Sequence, residues 1–194
     1  MSVEPIKVTK DAPMRIFVAF LLFVSAISIY YYTSGSNPST WEAFTSSKGK
    51  FSVSFPGHPI ENRLIVNDES GRTEAYTFTS KHERGMFAIA YADYPILNNF
   101  DVLELKEYTS FLLDSTRDSM VANVKGKLLS EQTISFSGYP GREIKIEAPD
   151  GIIALVRSYR IKQRLYVLQV VTWQEKVFSE SGLRFLDSFR ITGY

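Results

Sequence analysis

The chain has 194 residues, enough for one domain of ordinary size and a short additional segment. Its hydrophobic fraction of 44% is typical of a globular protein, and its formal net charge of +1 supplies no positive field to attract nucleic acid, which argues against nucleic acid as the main partner. The absence of cysteine excludes disulfides, thiolate metal sites and cysteine nucleophiles.

A long apolar segment lies near the N-terminus. Residues 16–32 read IFVAFLLFVSAISIYYY and contain no charged side chain. A helix of this length extends about 25 Å at 1.5 Å per residue, which is close to the thickness of the hydrocarbon core of a bilayer. We therefore predict a single transmembrane helix over residues 14–33, preceded by a tail at 1–13 and followed by a linker at 34–40.

Cations indicate the orientation of this helix. Lys7, Lys10 and Arg15 lie on its N-terminal side, and the next cation is Lys48. The positive-inside rule then predicts a single-pass protein of the cell inner membrane, with a cytoplasmic N-terminus and a periplasmic or otherwise extracytoplasmic domain at residues 41–194. A cleaved signal peptide and a buried core helix are alternatives, but three tyrosines stand where a cleavage site needs small residues.

Alternating polar and apolar residues predict strands in the first half of the domain. Residues 51–55 alternate phenylalanine or valine with serine and end at a Pro-Gly pair. Residues 64–66 and 73–79 form a predicted hairpin around a turn-rich cluster. Residues 87–92 alternate large side chains with alanine, which indicates that a helix packs closely on the alanine face.

Helical spacing follows these strands. Apolar residues between positions 101 and 121 recur at intervals of three and four, which predicts one long helix. Asp101 and Glu104 have the spacing of a capping box at its start.

Four further strands are predicted at residues 132–136, 143–147, 152–161 and 165–173. A short helix is predicted at residues 178–189. The runs at 152–161 and 165–173 are apolar on both faces and are joined by a two-residue turn, so we expect them at the centre of the sheet. The last residues are expected to trail off. The predicted fold class is α+β: an antiparallel sheet covered by one long and one short helix, after the single N-terminal transmembrane helix.

Four phrases of this sequence resemble a known group of domains. They are GKFSVSFPGHP at 49–59, SGYPGREIKIE at 137–147, RLYVLQVV at 164–171 and LRFLDSFR at 183–190. Together they resemble exported or membrane-anchored bacterial domains of the PsbP and DcrB-like fold. PsbP proteins are extrinsic subunits of a photosynthetic membrane complex, and others of this fold are assembly factors or lipoproteins. The resemblance therefore implies a binding or scaffolding role.

One candidate contact site lies in the second of these phrases. Gly138, Pro140 and Gly141 predict a sharp turn or bulge between two strands, which would present Tyr139 and Arg142 at the end of the sheet. A partner-binding corner and an ordinary hairpin turn both fit this pattern.

A second candidate is a basic cluster at the hairpin of the two central strands. It consists of Arg157, Arg160, Lys162 and Arg164. We interpret it either as a solvated hairpin tip or as a docking patch for an acidic partner or anionic lipid headgroups.

Motifs of catalysis are missing from the sequence. There is no G-x-S-x-G, P-loop or G-x-G-x-x-G pattern, and His58 and His82, both expected in loops, lack the spacing of metal ligands. Glu143 and Glu147 alternate with lysine in the manner of a solvated sheet face. We therefore predict no enzyme activity, no cofactor and no metal site.

The predicted function is that of a membrane-anchored accessory or assembly subunit that binds proteins of a membrane complex. One alternative is a carrier for a small ligand or lipid, since a sheet under a long helix can enclose a pocket. Another is a hydrolase that uses His58 or His82.

Overall fold

The computed structural model describes residues 40–68, 71–82, 85–94, 101–172 and 178–193. The predicted tail, the predicted transmembrane helix and nearly all of the predicted linker lie outside these residues. Within the described ranges, no helix has both the length and the hydropathy needed to cross a bilayer.

The described residues form ten strands and two α-helices. The strands are β1 (Trp41–Ser46), β2 (Phe51–Pro56), β3 (Ile60–Asp68), β4 (Gly71–His82), β5 (Gly85–Asp93), β6 (Lys127–Phe136), β7 (Tyr139–Glu147), β8 (Ile153–Ile161), β9 (Arg164–Thr172) and β10 (Arg190–Ile191). The helices are α1 (Val102–Asn123) and α2 (Leu183–Asp187). A 3-10 turn at Pro149–Gly151 precedes β8, and a π-helical turn at Phe178–Gly182 precedes α2.

Seven strands form one antiparallel sheet in the order β3-β4-β5-β9-β8-β7-β6. β9 is the fourth strand and β8 the fifth, which confirms the central position predicted from their apolar runs. A central strand is buried on both faces, so it lacks the polar alternation of an edge strand. The α+β class is confirmed by this sheet and its helices.

Three strands form a second, smaller sheet in the order β1-β2-β10. Here the sequence-based prediction was incomplete: β1 was missed, and the last residues were expected to trail off, whereas Arg190 pairs with Ser52 and Ile191 with Phe51. Alternation identified β2 as a strand because it depends on the local burial of each face. It could not show that β2 belongs to a separate sheet, since that depends on distant partners.

One face of the large sheet packs against the small sheet and α2 through an aromatic core. Its fully buried rings include Phe51, Phe55, Phe78, Phe87, Tyr166, Phe185 and Phe189. Neighbouring rings meet mostly in tilted or edge-on arrangements, for example Phe51 and Phe78 at 5.5 Å between centroids. Such arrangements suit the charge distribution of aromatic rings and add to the stabilisation from burial.

The opposite face of the large sheet packs against α1. Leu112 and Leu113 of α1 share a buried cluster with Ala90 and Ala92 of β5, which confirms that the alanine face accommodates a helix. The predicted capping box is also present: the Glu104 amide donates to Asp101 at 2.8 Å, and the Asp101 amide donates to Glu104 at 2.9 Å.

The turn between β6 and β7 differs from the one predicted. Ser137 and Gly138 form it, with φ values of 50° and 82°, the paired left-handed geometry that suits a tight hairpin. Pro140 and Gly141 lie within β7 rather than in the turn. Gly141 is required there for space, because a Cβ at this position would overlap the ring of Tyr159 and lie 2.6 Å from the carbonyl oxygen of Ser158.

We predict that Gly141→Ala lowers the free energy of unfolding by about 2 kcal/mol, since the new methyl group must displace a buried ring or a central strand. Urea unfolding of the full chain measures the change. Ser135→Ala, at an exposed position of β6, is the matched control and should change stability by less than about 0.5 kcal/mol. Equal effects of the two substitutions would contradict the close packing at Gly141.

Candidate functional site

A cleft of about 330 Å³ lies between the β1–β2 turn and the strands β4, β5 and β9. Its lining combines tyrosines with charged side chains of both signs: Lys48, Thr73, Glu74, Tyr76, Tyr91, Asp93 and Arg164. The strand register builds this cleft. Tyr76 pairs with Tyr91 across β4 and β5, and Asp93 pairs with Arg164 across β5 and β9.

Two stacked tyrosines form the base of the cleft. The rings of Tyr76 and Tyr91 have centroids 5.1 Å apart and are inclined by 16°. Each ring carries a cation: the Lys48 ammonium lies 4.1 Å from the Tyr76 centroid, and the Arg164 guanidinium lies 4.5 Å from the Tyr91 centroid. These contacts hold the two cations over flat aromatic surfaces, where the ring quadrupole attracts them.

Arg164 is fixed by an ion pair as well as by stacking. Its Nε and Nη2 donate to the two carboxylate oxygens of Asp93 at 2.6 Å each, and its Nη1 donates to the carbonyl oxygen of Lys48 at 2.9 Å. Burial opposes the charge of Arg164, but the bonds to Asp93 outweigh it and raise the pKa of the guanidinium. Arg164 therefore ties β9, β5 and the β1–β2 turn together.

Glu74 is the centre of the polar contacts on the other side of the cleft. Its carboxylate accepts a hydrogen bond from the Tyr76 hydroxyl at 2.6 Å and pairs with Arg63 at 2.5 Å. Lys48 lies 3.6 Å from the same carboxylate and donates to the Tyr76 hydroxyl, a bond that raises the pKa of the lysine. The charges of the cleft are thus paired with one another and hold its shape.

Tyr91 is the exception in this arrangement. The residue is 2% exposed, and its hydroxyl has no hydrogen-bond partner within the described part of the chain. Burial raises the pKa of this phenol well above its ordinary value. A buried hydroxyl without a partner is unfavourable by about 1–3 kcal/mol, so the cleft holds hydrogen-bonding capacity that the fold does not use.

The two residues of the predicted corner at the β6–β7 turn, Tyr139 and Arg142, lie in different environments. Tyr139 is half-buried against the aromatic core. Arg142 points to the opposite face, where it forms ion pairs with Asp114 of α1 and Glu131 of β6. The two side chains diverge because residues an odd number of positions apart in a strand face opposite sides of the sheet, and these two are three positions apart.

The predicted basic cluster at the β8–β9 hairpin is also divided. Arg157 lies on the aromatic face and forms ion pairs of 2.5 Å with Glu143 and with Asp187. Arg160 is buried on the α1 face, and Lys162 is exposed in the turn.

Among the predicted contact residues, Arg164 alone lines the cleft. The remaining cleft residues were missed by sequence reasoning. A signal for them exists, because Glu74 alternates with Tyr76 and Asp93 with Tyr91, so that a carboxylate and an aromatic ring share one face at a strand end.

Other sequence expectations are changed by the structure. Glu143 was expected on a solvated face, but Arg157 holds it in a half-buried ion pair because the two residues are cross-strand neighbours. His58 lies in a loop as expected, whereas His82 is the last residue of β4. His58 is not among the residues that line the cleft. Within the described ranges, no group of three acidic or histidine side chains could hold a metal ion.

Comparison with known proteins gives a fold but no family. No family model and no curated protein matches the chain. The solution structure of the cyanobacterial PsbP protein CyanoP from Synechocystis sp. PCC 6803 matches with a TM-score of 0.51 at 12% identity, over 81% of this chain and 96% of CyanoP. The domain therefore has a PsbP-like fold, as the sequence phrases indicated. A second match is PA94 from Pseudomonas aeruginosa, a protein of unknown function described as a putative regulator. Its TM-score is 0.36 at 8% identity, over 74% of this chain and 90% of PA94, and this low structural similarity supports no conclusion.

We predict that Tyr91→Phe leaves the free energy of unfolding unchanged or raises it by about 1 kcal/mol, because it removes a hydroxyl that has no partner. Tyr166→Phe is the matched comparison, since the Tyr166 hydroxyl donates to the carbonyl oxygen of Gly49 at 2.7 Å. That substitution should lower stability by about 1–2 kcal/mol. Urea unfolding of both variants measures the difference, and a loss in Tyr91→Phe as large as that in Tyr166→Phe would show that the Tyr91 hydroxyl is bonded.

We also predict that stability falls as the pH rises above about 10, the ordinary pKa of tyrosine. In the unfolded chain Tyr91 loses its proton near that pH, whereas burial keeps it protonated in the folded chain. Unfolding then releases a proton, so each further pH unit lowers the stability by up to about 1.4 kcal/mol per buried phenol. Unfolding curves between pH 9 and 11 should show a smaller decline for Tyr91→Phe than for the unchanged chain, and equal declines would refute the assignment to Tyr91.

Proposed function

We propose that this protein is a non-catalytic accessory or assembly subunit whose domain binds a partner protein through the cleft between Lys48, Tyr76, Tyr91 and Arg164. In this proposal residues 14–33 anchor the chain in the inner membrane, and the domain contacts a membrane complex on the extracytoplasmic side. The observation that carries the proposal is the composition of the cleft, since tyrosine and arginine are the residue types enriched at the centres of protein interfaces.

The rigidity of the cleft supports this role. Arg164 is held by Asp93 and by the ring of Tyr91, and Tyr76 is held by Glu74. Side chains that are already ordered lose little conformational entropy when a partner binds, so more of the contact energy appears as affinity. The charged rim then offers specific polar contacts around an aromatic centre.

The pairing of the carboxylates supports a non-catalytic role. Asp93 accepts two hydrogen bonds from Arg164, and Glu74 accepts bonds from Tyr76 and Arg63. A general acid needs a carboxyl group held protonated in an apolar pocket, and these ion-paired groups lie in the opposite environment. The PsbP-like fold and the resemblance of four sequence phrases agree with a binding role.

A small-ligand carrier is the second candidate, because the cleft volume of about 330 Å³ is at the lower end of the range of ligand pockets. Ligand pockets are mainly apolar, however, whereas four of the seven residues that line this cleft are charged: Lys48, Glu74, Asp93 and Arg164. The charged lining favours a protein surface as the partner.

The test is mild detergent extraction of a C-terminally tagged full chain from its native membranes, followed by native-gel separation and mass spectrometry. We expect the unchanged chain to migrate in a large complex. Lys48→Glu places an acid beside Glu74 and should reduce retention of the partner about tenfold, an effect of about 1.4 kcal/mol. The control is Lys106→Glu, an equal charge change at an exposed position of α1, which should leave retention unchanged.

Two results would refute the proposal. One is an unchanged chain that migrates alone, and the other is a Lys48→Glu variant that retains its partner as well as the control does. The anchor is tested separately by deleting residues 1–38: normal membrane association and complex formation by that shorter chain would exclude the proposed transmembrane helix. A bound small molecule in the mass spectrum of the lone chain would favour the carrier instead.

A further inference from the structure

Arg160 is a buried guanidinium near the end of β8. The residue is 5% exposed and lies on the face of the large sheet that α1 covers. Its Nε donates to the carbonyl oxygen of Lys162 at 2.5 Å. Its Nη1 is buried and has no hydrogen-bond partner in the described portion of the chain.

The other arginines of this hairpin and its neighbour are paired with acids. Arg142, Arg157 and Arg164 each form an ion pair with at least one aspartate or glutamate. Arg160 forms no ion pair with any residue that the structure describes.

Aromatic rings surround Arg160 instead of carboxylates. The guanidinium carbon lies 5.2 Å from the ring centroid of Tyr108 on α1 and 6.0 Å from that of Tyr94 after β5. Burial lowers the pKa of Arg160, and the hydrogen bond and charge interaction with Tyr108 oppose that shift only in part. A buried charge without a counter-ion is strongly unfavourable, and aromatic faces compensate for only part of that cost.

We propose that Arg160, flanked by Tyr94 and Tyr108, forms a buried binding site for an oxyanion, a phosphate or carboxylate group. The guanidinium supplies the positive charge and an unused N–H donor at Nη1, and the rings of Tyr94 and Tyr108 enclose it. This site lies on the opposite face of the sheet from the cleft, so it is independent of the proposed function.

The test is thermal unfolding of the purified full chain in millimolar inorganic phosphate or succinate, each compared with chloride at equal ionic strength and pH. A specific anion should raise the unfolding midpoint by about 5–10 °C at a hundredfold excess over its dissociation constant. A rise with phosphate alone assigns a phosphate group, a rise with succinate alone assigns a carboxylate, and either supports the site. No rise beyond chloride would overturn it.

Variants separate the site from general salt effects. Arg160→Met should abolish the response and raise the midpoint in chloride, since an unpaired buried charge is replaced by an apolar chain of similar length. Arg157→Met is the matched control: it removes a paired arginine on the other face, so the midpoint should fall while the anion response remains.

Tyr108→Phe covers the case in which Arg160→Met does not fold. It keeps the ring beside the guanidinium and removes the hydroxyl that bonds to Arg160 and helps to orient it, so the response should be reduced but not lost. An undiminished response in Arg160→Met would overturn the site, as would an undiminished response in Tyr108→Phe when the methionine variant is unfolded.

Discussion

The antiparallel register between β5 and β9 is the constraint on which both the core and the cleft depend. It sets Tyr91 opposite Tyr166 and Asp93 opposite Arg164. The first pair belongs to the aromatic core, and the second closes the cleft with a two-point ion pair. A slip of β9 by one residue would turn Tyr166 and Arg164 to the α1 face and separate them from Tyr91 and Asp93.

The two faces of the large sheet are packed with different types of side chain. The aromatic face fills the space against the small sheet with large rings, and its charged residues lie at the rim in ion pairs. The α1 face uses alanine and aliphatic residues, which allow a long helix to approach the strands closely. The β8–β9 hairpin contributes arginines to both faces, so residues adjacent in sequence enter environments of opposite character.

This division explains why neighbouring arginines differ in role. Arg164 at the rim is stacked, paired and part of a rigid polar surface that suits protein recognition. Arg160, a few residues earlier, is enclosed beside tyrosines without a described counter-ion. The PsbP-like fold supplies the scaffold for both, and the chemistry of each position follows from which face it occupies rather than from its place in a basic run.

The sequence by itself determined the elements whose causes are local. The capping box at Asp101 starts α1, the alternation from 73 to 79 marks β4, and the apolar runs on either side of Lys162 mark β8 and β9 as central strands. These features follow from periodicity, capping and burial, which act within a few residues.

Three features could be identified only from the tertiary structure: the separate small sheet, the pairing of β10 with β2, and the cleft. The Tyr76–Tyr91 stack and the Asp93–Arg164 pair join residues 15 and 71 positions apart. Their meeting depends on strand order and register, which no local pattern encodes. The division of the basic cluster between two faces also depends on the sheet. The arginines are close in sequence, but the face that each one occupies determines which side chains it contacts.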